Sequence, residues 1–316
     1  MPENSAATSN GEERLNPFSR RDDFSSQHLL LYKITTGVTY LLLLVTAFYY
    51  TFNSPHEGKK HHHDSPDGKH HHEYYPGQST IWGQNSLHPT PYSQNFIITS
   101  IYWIVLFVLQ LVYAWSLYSS DSVYVAAAGN IGAHYLASNL LLFGFIHLWV
   151  RSHFWLAELL LIVNFLNLSL AYFRHSTTPR LIHIGTVSGP LAWNFVALYW
   201  VGAVAVHKHP ENLIPRIVAN IFIWGILGYG VFFLAAFKDY TIGFALSVLA
   251  FSTGVGQFFT KLPILQLQWI FAFTIGGTLF LLSLAVGVPG LLGRDPFKRG
   301  EIVDEDRERA PLLADD

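Results

Sequence analysis

The chain has 316 residues, of which 51% are hydrophobic and only 13% charged, with a mean hydropathy of +0.29. A soluble domain carries about 25% charged residues, so a water-soluble globule is excluded. A net charge of -2 without a basic stripe excludes a nucleic-acid partner, and the absence of cysteine excludes disulfides, thiolate catalysis and cysteine metal sites.

Residues 1–28 are rich in Ser, Asn, Glu and Arg and read as a disordered tail without a cleavable signal peptide, so the first span serves as the insertion signal. Beyond them lie apolar stretches long enough to cross about 30 Å of hydrocarbon. They fall at about 29–52, 95–118, 124–150, 154–173, 188–206, 214–236, 240–260 and 264–288. The sequence therefore predicts an all-α polytopic helical membrane protein with about eight transmembrane helices. The membrane domain covers 29–289, and the charged segment 290–316 reads as a second disordered tail. A polar loop over 53–94 forms the longest gap. Lys and Arg concentrate on one side when the N-terminus is cytosolic: Arg14, Arg20, Arg21, Lys33, Arg174, Arg180, Lys238 and the cations of the last segment. Both tails are then cytosolic and the 53–94 loop is not. No internal repeat of the inverted-transporter kind is visible.

Three places carry candidate chemistry. In the 53–94 loop, His61, His62, His63, His70, His71 and His72 stand beside Asp64, Asp67 and Glu73, around a Ser-Pro-Asp-Gly turn. Imidazole and carboxylate suit zinc or copper. The expectation is weak binding that protons displace, set against a solvated low-complexity segment with no metal role. Second, the hairpin of spans three and four brings His147 and Glu158 to similar depths beside its turn at Arg151–His153. Such a pair would relay protons or hold a cation, unless Glu158 simply reaches interfacial water. In the same hairpin Asn139, Asn164 and Asn167 read as interhelical glue, and Gly129, Ala133 and Ala137 as a small-residue stripe for close helix packing. Third, Glu308 with Leu312 and Leu313 fits an acidic dileucine motif for a cytosolic sorting adaptor, and Asn16-Pro17-Phe18 resembles a short endocytic motif. No G-x-S-x-G, H-E-x-x-H or phosphate loop is present, which leaves an intramembrane lipid-modifying enzyme the least supported class.

Several segments carry a resemblance. NPFSRRDDFS, PRLIHIGTVSGPLAWNFVALYWVGAVAVH, FIWGILGYGVFFLAAFKDYTIGFALSV and ERAPLL resemble a family of fungal multispanning proteins described as a domain of unknown function. The likeness runs from Asn16 to Leu313 and is most specific over Pro179–Phe258. It implies a multispanning helical protein and no catalytic residues; the histidine-rich loop is not a feature of that family.

The reading that results is a multi-pass endomembrane protein, vacuolar before plasma membrane, with a transport or transport-accessory role. Its rival is a scaffolding or interaction protein of the same membrane. The bilayer and a sorting adaptor are the expected partners, and no cofactor is implied beyond weak zinc or copper at the histidine-rich loop. Protease-accessible tags placed at residues 10 and 310 are expected to be digested together from the cytosolic side. Digestion of only one would exclude any even number of spans.

Overall fold

The computed structural model describes residues 18, 24–55, 78–175, 178–206, 213–260 and 267–292. The elements are α1 (Ser26–Phe52), α2 (Ile81–Leu87), α3 (Phe96–Ser116), α4 (Ser122–Val150) and α5 (Phe154–Arg174). After these, α6 (Arg180–His183) runs through a π-helical turn (Ile184–Ser188) into α7 (Gly189–Val206). The chain continues with α8 (Leu213–Phe222), α9 (Trp224–Ala236), α10 (Tyr240–Thr260) and α11 (Gln268–Leu291). No strand occurs among the described residues. Eight helices are long and apolar enough to cross a membrane, and each coincides with a stretch expected from the sequence. The fifth starts at Arg180, eight residues before its expected start at 188.

One expectation is corrected. Residues 78–95 are not part of a free polar loop: they form α2 and a folded segment seated on the bundle. The six loop histidines (His61 to His63 and His70 to His72), the triplet Glu308, Leu312 and Leu313, and most of both tails lie outside the described residues.

Side chains at the element ends set where the helices begin. Ser25 accepts from the His28 N–H, Asn95 from those of Ile97 and Ile98, and Asp121 from that of Val123. Each satisfies first-turn donors that have no intrahelical acceptor. The α4–α5 hairpin closes tightly because Ser152 adopts φ 62°. That left-handed conformation lets the N–H groups of Ser152 and His153 reach back to the carbonyls of Trp149 and Leu148.

Burial divides the spans. In α4, in α6–α7 and in α10, 50–61% of the most apolar window is buried, against 28–33% in the other five. Each of the three inner spans buries four polar residues, more than any other span. Asn130, His134, Ser138 and Asn139 are buried on α4, His183, Thr186, Ser188 and Asn194 on α6–α7, and Ser247, Ser252, Thr253 and Gln257 on α10. This is what hydrocarbon dictates: polar side chains are cheapest where another helix answers them. Asn164 donates to Asn194 Oδ1 at 2.9 Å, and Asn194 donates to the Leu161 carbonyl at 2.8 Å, so α5 and α7 are joined twice.

The π turn is explained by Pro190. Proline has no N–H and its ring crowds the carbonyl four residues back, here that of Thr186. The helix widens: the Gly189 N–H bonds Ile184, five residues earlier. Two carbonyls, one in the turn and one just after it, accept donors from α3. Tyr102 Oη donates to Gly189 at 2.7 Å, and Gln110 Nε2 to Gly185 at 3.4 Å. Gly185 permits this approach, because a Cβ there would lie 2.9 Å from the Leu109 carbonyl carbon. Gly185→Leu is therefore expected to force α3 away and lower stability by about 1–3 kcal/mol. A thermal melt in detergent, beside Gly37→Leu, whose Cβ position is open, checks it.

Candidate functional site

The segment 78–95 is held by side chains from three spans. Trp149 Nε1 donates to the Ile81 carbonyl at 3.0 Å, and Gln84 Nε2 donates to Val150 O and Ser152 Oγ. Gln257 Nε2 donates to the carbonyls of Thr90 and Ser93, and Tyr92 Oη to that of Ala219. Ser252 and Asn95 exchange backbone and hydroxyl bonds, and Thr99 Oγ1 lies 2.8 Å from Ser252 Oγ. Gly256 lets the segment lie close: an added Cβ would meet Ser93 O at 2.7 Å.

Beneath this cap lies an apolar cavity of about 370 Å³ between α1, α2, α3, α4 and α7. Leu43, Phe107, Leu142, Phe145, Trp193 and Trp200 form its buried part. Phe48, Phe52, Phe96, Ile97, Ile101 and Ile104 border it and are exposed on the outer faces of α1 and α3. In a bilayer those faces meet lipid, so the cavity opens sideways into hydrocarbon. Trp82 of α2 stacks on Trp200 at 6.2 Å and closes the end under the cap. The volume lies within the roughly 300–1,000 Å³ typical of small-molecule sites.

A second cluster lies at the opposite end, between α9 and α10. Asp239 is buried. Its Oδ1 accepts from the N–H groups of Thr241 and Ile242 and from the Thr241 hydroxyl, capping α10. Its Oδ2 accepts from Tyr172 Oη at 3.0 Å and from His183 Nε2 at 3.3 Å. One carboxylate thus ties α5, α6 and α10 together. Burial alone would raise its pKa, but the hydrogen bonds from His183, Thr241 and Ile242 and the charge of His183 outweigh burial and hold it below the usual carboxylate value.

The residues singled out in the sequence occupy separate places. His147 lies 3.0 Å from the Phe143 carbonyl through Nδ1 and packs edge-on against Tyr50. Glu158 instead faces Gly202 of α7, where an added Cβ would lie 3.2 Å from Oε1, and its buried Oε2 has no hydrogen-bond partner among the described residues. No hydrogen bond or ion pair joins the two side chains among the described residues. Asn167 makes a reciprocal pair with His134, Oδ1 to Nδ1 and Nδ2 to the backbone carbonyl, both at 2.9 Å. Asn164 serves the α5–α7 contact, and Asn139 Nδ2 is buried without an acceptor among the described residues. Gly129 receives the Phe24 ring, and it is Gly132, outside the stripe of Gly129, Ala133 and Ala137, that receives Tyr32. No group of three or more metal-binding side chains occurs among the described residues.

Sequence reading passed over Asp239, although a lone Asp before an apolar run is a helix-start signal. It also passed over Trp193 and Trp200, whose seven-residue spacing puts them on one helix face.

A family model described as a fungal protein of unknown function (DUF1774) matches residues 216–313. The match spans α9–α11 and the residues after them, and covers part of the stretch whose resemblance is most specific. No curated protein and no solved structure matches the chain.

Asp239→Ala is expected to cost on the order of 3 kcal/mol at pH 7, since it strands His183 and Tyr172 and uncaps α10. The folded carboxyl titrates below its unfolded value near 3.9. The stability it confers is therefore complete above about pH 4 and fades as the pH falls further. Melting temperatures of the two proteins should differ at neutral pH and converge below pH 4.

Proposed function

We propose that the protein is a transport or transport-accessory protein of an endomembrane whose cargo is an apolar or amphipathic molecule taken laterally from the bilayer. The observation that carries this reading is the cavity of about 370 Å³, whose wall is mostly apolar and reaches the exposed faces of α1 and α3. An aqueous solute would find almost nothing there to replace its hydration. A hydrocarbon chain already in the bilayer gains little from the hydrophobic effect on entering, so residence depends on packing against the aromatic wall. Glu308, Leu312 and Leu313 support sorting to an endomembrane, vacuolar in the first instance, by a cytosolic adaptor. The Lys and Arg bias supports cytosolic tails, which puts the cavity in the non-cytosolic half of the membrane.

Filling the cavity should block its use. Ser100 lines the cavity on α3, whereas Val45 of α1 is 63% exposed and does not line it. With the full chain in vesicles, a phospholipid carrying a diazirine in its acyl chain is expected to label the cavity wall. Ser100→Phe should lower that labelling several-fold, while Val45→Phe leaves it unchanged. Equal labelling of all three proteins would overturn the lipid reading and favour a scaffolding role.

A further inference from the structure

The cavity wall is polar near one end only. Thr51 of α1 and Ser100 of α3 line it, both half-buried. Helical periodicity puts each at the centre of the face that its helix turns to the cavity. Ser100 stands among Phe96, Ile97, Trp103, Ile104 and Phe107, and Thr51 among Leu43, Ala47, Phe48 and Phe52. Thr99 also lines the wall, but its hydroxyl is held by Gln94 Oε1 and Ser252 Oγ, each at 2.8 Å. No charged side chain lines the cavity among the described residues. From this arrangement we infer that the cavity takes an uncharged lipid alcohol, with its hydroxyl bonded to Ser100 beneath the cap and its hydrocarbon body pointing to the bilayer midplane. This rests on the reading of the cavity as a lipid site and names the class of lipid.

The two hydroxyls differ in what they have left to offer. A Ser or Thr in a helix can turn back to the carbonyl four residues earlier, as Thr35, Thr39 and Ser116 do here. Thr51 does the same, donating to the Ala47 carbonyl at 2.7 Å. Its proton is committed, and its oxygen keeps lone pairs with which to accept. Ser100 makes no hydrogen bond among the described residues, and its Oγ, unlike Nε1 of Trp193 and Trp200, is not sealed inside protein. A ligand hydroxyl can serve either residue, whereas an ester carbonyl can serve only Ser100. Position completes the argument. Thr51 stands one residue before the end of α1 and Ser100 four residues after the start of α3, both within about 6 Å of the capped ends. Trp82 of α2 closes that end, so a lipid held there whole has room for a small polar group and none for a charged headgroup. Phe107, eleven residues into α3, lies roughly 16 Å deep, about half of a hydrocarbon core of about 30 Å. The cavity therefore has the depth of one leaflet, polar where a lipid's oxygen lies and apolar below it.

The test uses the full chain in phospholipid vesicles with three photoactivatable probes: a sterol with a free hydroxyl, the same sterol without that oxygen, and the acyl-chain phospholipid. In the unaltered protein the hydroxylated sterol should label the wall about threefold or more over the deoxy sterol, the scale of one hydrogen bond inside a membrane protein. Ser100→Ala should abolish that preference by lowering the hydroxylated sterol alone, since a purely structural role for Ser100 would lower both. Retained labelling by the deoxy sterol shows that the cavity persists. Unlabelled sterol or a long-chain alcohol, added separately, should displace the phospholipid probe. Displacement by either supports the lipid alcohol and tells a ring system from a flexible chain as its source; displacement by neither overturns it. Should Ser100→Ala fail to fold, the ratio of the two sterols and the displacement still decide. Equal labelling by the two sterols in the unaltered protein would overturn the inference, and phospholipid labelling that Ser100→Phe reduces would then leave the lipid site standing. Labelling by every probe that Ser100→Phe does not reduce would instead overturn the lipid site itself.

Discussion

Pro190 stands inside one of the two most enclosed spans, where its missing N–H and the carbonyl it displaces must be dealt with by protein alone. Hydrocarbon supplies neither donor nor acceptor, so a break in the helical ladder has to be answered by a neighbouring helix. The π turn at Ile184–Ser188 is the answer within the helix, and Tyr102 and Gln110 of α3 are the answer from outside it. That fixes where α3 lies. The extra residue in the turn also rotates the helix after it by about 100° relative to the helix before it. His183, before the turn, meets Asp239, whereas Trp193 and Trp200, after it, line the cavity. One imino acid thus separates an ionic end of the span from an aromatic one.

The two ends are stabilised by different means. Around Asp239, hydrogen bonds to a carboxylate join three elements in a small volume, and the loss of any one leaves charge or dipole unanswered. Around the cavity the restraint is a cap bound by neutral side chains: Gln84, Trp149, Gln257 and Ser252 each make a bond that ties residues 78–95 to the backbone or side chains of the spans. Most of these bonds are directed at backbone atoms, so they tolerate changes in many side chains of the cap. The seat of the cap, including the close approach at Gly256, tolerates far less.

The spans were legible because a bilayer imposes a length on apolar runs, and that length is easy to see in a single sequence. The start of the fifth span was not, because His183, Thr186 and Ser188 interrupt the run; all three are buried, with partners on neighbouring elements or in their own helix. The cap was missed for the converse reason. Residues 78–95 are polar and short of apolar periodicity, and their partners are more than sixty residues away in sequence. Asn164 and Asn167 were legible as bridging residues, though not their partners Asn194 and His134. His147 and Glu158 share a depth in the hairpin, but depth does not specify the direction in which a side chain leaves the helix. Arg151 illustrates the difference: its guanidinium turns back to the His147 carbonyl and the Tyr50 ring.

The cap has a bearing on how this chain tolerates variation in length. The stretch 56–77 begins after α1 has ended at Phe52 and stops before Ser79, whose N–H bonds the Val150 carbonyl. Both of its flanks are thus anchored at one end of the bundle by bonds that involve none of its own residues. The entropy of closing a connection between fixed points rises only logarithmically with its length, about 0.6 kcal/mol per doubling. Added length between Pro55 and Gln78 would leave both anchors in place, the Asn53 bond that ends α1 and the Ser79 bond to Val150, and with them the register of the spans.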